Sequence, residues 1–277
     1  MVITYTSLPA PPLRSYIKRY CLREFDTAGA ELLKPLFADD ESILALSLSD
    51  TPVVYSSGGK QQLVDLGDRH LFGLQTGFNG YQIFKGKYKF LCIEFNANGF
   101  YSLFNIPMSH IRNGLWRFDD VIGQNLQFWN DQLFGLDHPA EIIHQVDSLF
   151  LQWALRKKTE GKYARQVAWA CNQLCGNYKG EITQMASELN MSLRNLEQQF
   201  AEQVGIRPAL LRKIKRFHKA IAMKIQHPEQ SWTSIAYDCN FFDQMHLIRD
   251  FKTFSGMPPL AFFREMPPPV EKIIAIQ

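Results

Sequence analysis

The sequence ITQMASELNMSLRNLEQQFAEQVGIRP, residues 182–208, decides the fold of the C-terminal part of the chain, because its residue pattern is repeated later in the chain. Both copies contain the spacing Phe-x4-Gly-x2-Pro, which begins at Phe200 in the first copy and at Phe251 in the second. Apolar residues at three-to-four spacing precede each of these phenylalanines. The chain therefore contains a duplicated helical unit.

Each copy has the pattern of two helices joined by a tight turn. In the first, apolar positions from Ile182 predict one helix, and Ser192 is a residue type that caps the start of the next. In the second, Asn240 stands at the turn, where Asn can adopt the left-handed geometry usual for Gly. Phe242 or Asp243 then begins the following helix. This arrangement is a helix-turn-helix.

The second helix of each unit, near residues 193–204 and 243–254, carries polar side chains opposite its apolar stripe. Arg can make two hydrogen bonds to guanine, and Asn or Gln can make two to adenine, in the major groove of DNA. A polar helix face is more often only solvated, but two such faces in one chain favour recognition of DNA. The candidate base-contacting residues are Arg194, Asn195, Glu197, Gln198, Gln244, Met245, His246 and Arg249.

Residues 209–227, between the two units, predict one continuous helix. About 19 helical residues span roughly 28 Å, close to the roughly 34 Å between successive major-groove faces on one side of DNA. The segment is rich in lysine and arginine and contains no acid. It therefore predicts contacts to backbone phosphates through Lys213 and Lys215.

Three segments resemble the AraC/XylS family of bacterial transcription regulators: GIRPALL at 205–211, IAYDCNFFDQMHLIRDFK at 235–252 and GMPPLAFF at 256–263. The resemblance covers the C-terminal third of the chain. It implies two helix-turn-helix units that read adjacent major-groove segments of double-stranded DNA, and an N-terminal domain for an effector or for dimerisation. By residue type, the family's contacting positions are Arg194, Glu197, Gln198, Gln244, Met245, His246 and Arg249.

The chain departs from the family pattern at four positions. Asn240 and Leu247 stand where the family prefers Gly and Phe, and Leu211 stands where it prefers an aromatic residue. These changes are conservative in size or backbone geometry. Glu197 differs in kind, because phosphates repel a carboxylate unless it accepts a hydrogen bond from a cytosine amine.

Residues 1–118 alternate short apolar runs with turn clusters such as SDTP and SSGGK, which predicts many short β-strands. This part resembles, more weakly, the cupin-like β-barrel that many family members carry in front of the DNA-binding part. Residues 120–156 predict two amphipathic helices. The expected fold class is α+β, with a barrel and helical appendage followed by an all-α domain whose helix-turn-helix units are joined by a long helix.

The same patterns predict the domain organisation. We expect an N-terminal effector and dimerisation domain at 1–156 and a charged linker at 157–162. A DNA-binding domain at 163–266 and a tail at 267–277 then complete the chain.

A barrel of this size can enclose one small ligand. Its aromatic residues either line such a pocket or form an ordinary core: Phe72, Phe78, Tyr81, Phe84, Tyr88, Phe90, Phe95 and Phe100. We expect any effector to be small and largely apolar. A homodimer through the helices of 120–156 is expected, with RNA polymerase considered as a further partner.

Two functions from other classes compete with DNA binding alone. A cupin-type metalloenzyme needs clustered imidazoles and a carboxylate, but His70 and His110 are isolated in the barrel segment. An alkylation-repair sensor needs a zinc-held reactive cysteine cluster, and Cys21 and Cys92 are isolated. We therefore expect no catalytic residue, metal or cofactor.

Composition indicates a globular protein of a reducing compartment. The 277 residues are 46% hydrophobic, with a net charge of +3 and an odd number of cysteines. Cys171 and Cys175 lie four residues apart and indicate one buried helix face rather than half of a metal site. The N-terminus lacks a signal-peptide pattern, and no apolar run reaches the roughly 20 residues that span a bilayer, so we expect a cytoplasmic protein.

Overall fold

The computed structural model describes residues 2–49, 51–57, 60–64, 69–133, 135–156, 161–176 and 178–265. Within them, strands form most of the N-terminal part and helices the part after it, so the predicted α+β class is confirmed. No helix in these ranges combines the length and apolarity needed to span a membrane. The predicted tail lies outside the described residues, as does the part of the predicted linker at 157–160.

The strands of the N-terminal part form two antiparallel sheets. They are Val2–Ser7 (β1), Ile17–Asp26 (β2), Leu32–Pro35 (β3), Ile43–Ser47 (β4), Val53–Ser57 (β5), Lys60–Val64 (β6), Arg69–Phe72 (β7), Tyr81–Phe84 (β8), Lys87–Phe95 (β9) and Leu115–Arg117 (β10). One sheet has the order β1-β2-β9-β4-β7-β10 and the other the order β3-β8-β5-β6.

The two sheets face each other and enclose an interior between them. Successive residues of a strand point to opposite faces, so β2 presents Leu22 to one side and Cys21 and Arg23 to the other. Leu22 and its cross-strand partner Leu91 join the apolar core outside the larger sheet. Arg23 lines the interior together with Cys92, the cross-strand partner of Cys21.

Helices fill the remainder of the described chain. They are Gly99–Phe104 (α1), Phe118–Ile122 (α2), Gln127–Leu133 (α3), Pro139–Arg156 (α4), Ala164–Gly176 (α5), Ile182–Glu188 (α6), Leu193–Gln203 (α7), Pro208–Gln226 (α8), Trp232–Asp238 (α9), Gln244–Ser255 (α10) and Pro259–Glu265 (α11). The first four pack on the outer face of the larger sheet, around buried rings such as Phe118, Trp129 and Phe150.

Two expectations for this region need correction. Helix α1 lies inside the segment for which only strands were predicted, because GFYSLF is short and carries no clear helical period. The first of the two helices predicted in 120–156 is divided into α2 and α3. Gly123, with φ 65°, ends α2 in a left-handed conformation that interrupts the helix.

The C-terminal helices share a second core, centred on Phe200, Phe217 and Phe251. Residues of the N-terminal part join this core. The ring of Phe37, between β3 and β4, lies 6.0 Å from the ring of Phe217 and 5.7 Å from that of Phe262. The two parts of the chain are therefore packed together through apolar contacts.

The cysteines are free thiols. Cys171 is buried on α5, as predicted, whereas Cys175 is exposed. In the last turn of α5 the residue that joins the core is Leu174, not Cys175.

Candidate DNA-binding surface

The first helix-turn-helix consists of α6 and α7. Asn190 turns the chain with a positive φ of 54°, and Ser192 caps α7 by accepting a hydrogen bond from the amide of Asn195 at 3.2 Å. Leu196 and Phe200 are buried beneath the helix. The predicted turn and cap are confirmed, and they hold the N-terminal end of α7 in a defined position.

The residues proposed to read bases from α7 differ in accessibility. Arg194 and Gln198 are exposed, whereas Asn195 and Glu197 are half-buried at the sides of the helix. The carboxylate of Glu197 therefore lies away from the most exposed line of the helix. Arg194 and Gln198, four residues apart, occupy one face of α7.

The second helix-turn-helix repeats this construction with α9 and α10. Asn240 has a φ of 57°, and the Asp243 carboxylate caps α10 by accepting from the amide of His246 at 2.6 Å. Asp243, not Phe242, is thus the capping residue. Leu247 is completely buried, so it fills the core position at which the family prefers Phe.

On α10, Gln244, Met245 and Arg249 are exposed. The Gln244 side-chain oxygen accepts a hydrogen bond from the Thr233 hydroxyl at 2.8 Å, which orients its amide group. His246 is placed differently, because its Nε2 lies 3.1 Å from the guanidinium of Arg216 on α8. His246 is therefore engaged in joining α10 to α8.

Helix α8 occupies the predicted spacer position, but many of its cations have partners within the chain. Arg216 pairs with Asp250 at 2.7 Å, and Lys215 pairs with Asp40 of the N-terminal part at 2.6 Å. Arg212, Lys219 and Lys224 donate to backbone carbonyls. Many of these cationic side chains therefore form contacts within the protein.

The fold therefore places the two lysines predicted to contact phosphates, Lys213 and Lys215, in different surroundings. Lys213 is exposed and makes no hydrogen bond or ion pair within the described residues. Lys215 is half-buried against Asp40, which raises the pKa of its ammonium group. Only tertiary packing distinguishes them, because both belong to the same basic run.

A cavity of about 430 Å³ lies between the two sheets and reaches α8. Four of the aromatic residues considered for a pocket line it: Phe72, Phe84, Tyr88 and Phe90. Phe95 instead points to the other face of the larger sheet, where it packs in the core with Phe100 of α1. The sequence did not distinguish these two groups.

Charged groups also line the cavity. Lys34 makes no hydrogen bond or ion pair within the described chain, and burial near Arg23 lowers the pKa of its ammonium group to about 8. Burial raises the pKa of the Cys92 thiol to about 12. The structure thus brings Cys21 and Cys92 together as cross-strand partners, but Cys92 stays protonated at neutral pH and is a poor nucleophile.

The histidines considered for a metalloenzyme stay apart, with His70 buried against the cavity and His110 exposed. A different group brings ligand atoms within 4.8 Å of one another: Asp39, Asp40 and His218. Within it, His218 Nε2 lies 2.7 Å from the carbonyl of Ala38, and Asp40 is paired with Lys215. These interactions connect the N-terminal part to α8.

Family models match both parts of the chain. One described as "Helix-turn-helix domain" matches residues 185–265, and one described as "Domain of unknown function (DUF6597)" matches residues 5–116. The HTH-type transcriptional activator RhaS of Pectobacterium atrosepticum is 30% identical over 158 residues, 52% of this chain and 56% of that protein. RhaS of Klebsiella pneumoniae is 26% identical over 147 residues, 50% of this chain and 52% of that protein.

The chain therefore spans about half the length of the relatives that it matches. Among solved structures, ToxT from Vibrio cholerae O395 is similar with a TM-score of 0.46 and 10% identity. That similarity covers 92% of this chain and 99% of ToxT.

Proposed function

We propose that this chain, a member of the AraC/XylS family of transcription regulators, binds specific double-stranded DNA sequences. In this proposal α7 and α10 enter two adjacent major-groove segments. The observation that carries it is the duplicated helix-turn-helix. Each copy has a capped second helix that is packed on one side and presents exposed polar side chains on the other.

The base readers in this proposal are the exposed residues of the two helices. Arg194 and Gln198 serve on α7, and Gln244, Met245 and Arg249 serve on α10. Three half-buried residues flank these positions: Asn195, Glu197 and His246. They affect the orientation of the two helices more than they recognise bases. Lys213 would neutralise a backbone phosphate, which adds affinity without sequence preference.

A selection experiment tests the proposal. Full-length protein is used to enrich duplexes from a random pool, and affinity for the enriched sequence is compared with that for a scrambled one. We expect two recognised segments about 10 base pairs apart, centre to centre, because the helices read successive major-groove faces. Equal dissociation constants for the enriched and scrambled duplexes would contradict sequence-specific binding.

We further propose that a small molecule in the cavity controls DNA binding. Six aromatic side chains line the cavity, which supports the expected apolar ligand, and Lys34 adds a cation that has no hydrogen bond or ion pair within the described chain. A buried charge without an ion pair is costly unless an opposite charge neutralises it. The proposed effector therefore combines an apolar body with an anionic group such as a carboxylate.

The position of the cavity supports communication with DNA. Its lining includes Lys215 and His218 of α8, the helix that joins the two helix-turn-helix units, as well as Cys175 of α5. A ligand that prefers one arrangement of the two parts changes DNA affinity by its difference in binding free energy. A difference of about 1.4 kcal/mol changes affinity tenfold.

Effector control is tested with a panel of small carboxylates and their uncharged amides. A carboxylate that enters the cavity should raise the melting temperature of the wild type, but raise that of Lys34→Met much less. It should also change the DNA affinity of the full chain and not that of residues 163–266 alone. Equal stabilisation of wild type and Lys34→Met would place the ligand elsewhere.

Assembly of the protein is also a proposal. We assign residues 1–156 to an effector and dimerisation domain and 163–266 to DNA binding. Phe128 and Leu155 are exposed apolar side chains on α3 and α4, and they support a homodimer through this region. Sedimentation of Leu155→Glu and wild type would test it, since a monomeric wild type contradicts dimerisation. RNA polymerase is proposed as a partner if transcription is activated.

A further inference from the structure

Two adjacent phenylalanines follow the turn of the second helix-turn-helix, and the fold uses only one of them. Phe241 is buried, lies edge-on to His246 with ring centroids 5.5 Å apart, and contacts the Arg216 guanidinium 4.1 Å from its ring centroid. Phe242 is 92% exposed. Since Phe241 already provides the core contact at this turn, packing within the described chain does not require an aromatic residue at 242.

Phe242 lies directly before Asp243, the cap of α10. Helices of this kind enter the major groove with their N-terminal residues against the base edges. The side chain is therefore at the end of the helix that approaches DNA. Met245, in the first turn of α10, is 60% exposed, so a second apolar side chain lies at the same end.

The major groove offers one apolar group to such side chains. Thymine carries a C5-methyl group there, and phenylalanine is among the residues that contact it. Polar readers such as Gln244 and Arg249 recognise adenine and guanine, so an apolar group beside them extends recognition to a third base. An exposed ring does not stabilise the free protein, whereas its burial against a methyl group makes the free energy of binding more favourable.

From this placement we infer that Phe242 is a specificity-determining residue that contacts the C5-methyl group of a thymine. The inference rests on the proposed reading of DNA by α10. It deepens that proposal by naming a base and the chemical group that is recognised. Phe242 adds an apolar contact to the polar readers of α10.

The test removes the methyl group from DNA instead of the whole base. Each thymine of the enriched duplex is replaced in turn by deoxyuridine, which pairs identically but lacks the methyl group. Binding of the full chain is measured by fluorescence anisotropy. At one thymine of the α10 half-site, wild type should lose about fourfold in affinity, the value expected for one buried methyl group.

The Phe242→Ala variant should bind the thymine duplex about fourfold more weakly than wild type, and should not distinguish thymine from deoxyuridine at that position. Two controls accompany it. Leu260→Ala removes another exposed apolar side chain from α11, and Tyr237→Ala removes the exposed ring that lines the same surface depression as Phe242. Both controls should keep the deoxyuridine effect. Circular dichroism checks that each variant is folded.

Several results would overturn the inference. One is a wild type that is insensitive to deoxyuridine at every position, and another is a Phe242→Ala variant that keeps the full deoxyuridine effect. An effect lost in Met245→Ala but kept in Phe242→Ala would assign the methyl contact to Met245 instead. Failure of wild type to enrich any sequence would overturn DNA reading itself, whereas specific binding without methyl dependence overturns only the role of Phe242.

Discussion

Lys215 on α8 and Asp40 between β3 and β4 form an ion pair in which Nζ lies 2.6 Å from Oδ2. The contact joins the helix between the two helix-turn-helix units to the loop beside the cavity. Ala38 of the same loop donates its amide to the carbonyl of Phe254 on α10 at 2.9 Å. A change in the cavity therefore has a short physical route to α8 and α10.

The two lysines of α8 should differ in their effect on salt dependence. Lys213→Ala should reduce the magnitude of the slope of log K against log salt concentration by about 0.9, because one phosphate contact is lost. Lys215→Ala should leave that slope unchanged, since Lys215 is paired with Asp40. Anisotropy titrations at several salt concentrations measure both variants. Identical slopes for wild type and Lys213→Ala would mean that Lys213 faces solvent in the complex.

Arg249 should contribute to specificity more than to general affinity. Arg249→Ala should weaken binding to the enriched duplex by about 1 to 3 kcal/mol, the discrimination that a two-bond contact to guanine provides. Binding to random DNA should change much less. Lys252→Ala, an exposed cation one turn further along α10, is the matched control and should not alter the ratio of the two affinities. If Arg249→Ala keeps the wild-type ratio of affinities for the enriched and random duplexes, Arg249 does not recognise a base.

Lys34 should make stability rise at alkaline pH. Its pKa is lowered from 10.5 to about 8, so between these values the folded protein has released a proton that the unfolded chain still binds. The free energy of unfolding therefore increases with pH in this window. Urea denaturation at pH 7.5, 8.5 and 9.5 should show this rise in wild type relative to Lys34→Met. A constant difference between the two proteins would contradict the burial of an unpaired ammonium group.

Asn240 should be replaceable by Gly but not by Ala. Its φ of 57° is left-handed, a conformation that costs a residue with a Cβ atom about 1 to 2 kcal/mol and that Asn tolerates better than most. Asn240→Ala should therefore lower the free energy of unfolding by about 1 kcal/mol. Asn240→Gly, the matched variant, should leave stability nearly unchanged. Both are measured by urea denaturation, and equal losses would show that the Asn side chain itself is required.

Local patterns were sufficient to predict the helix-turn-helix units. Turn and cap residues such as Ser192 and Asn240 act on backbone within a few positions, so their effect can be recognised from neighbouring residues. The spacer helix was predicted to within one residue at each end. Exposure of the candidate base-contacting residues was less predictable, because His246 is held by Arg216, thirty positions earlier in the chain.

The strand region illustrates the opposite case. Alternation predicts that neighbouring residues of a strand point to different faces, but not which face borders a cavity and which borders a helix. Phe90 lines the cavity and Phe95 packs beneath α4, and this assignment depends on the second sheet and on the helices that cover the first. No pattern within β9 identifies these partners.

The sequence by itself determined the duplicated helix-turn-helix units, their caps and turns, and the helix that separates them, because each depends on interactions between residues close in the chain. Only the tertiary structure decided that Lys215 pairs with Asp40 of the N-terminal part, while Lys213 is exposed and has no ion pair within the described residues. It also decided that Lys34 lines a cavity with no ion pair to any residue that the structure describes. The physical reason is that the pairing and burial of a charge depend on groups that folding brings from distant positions.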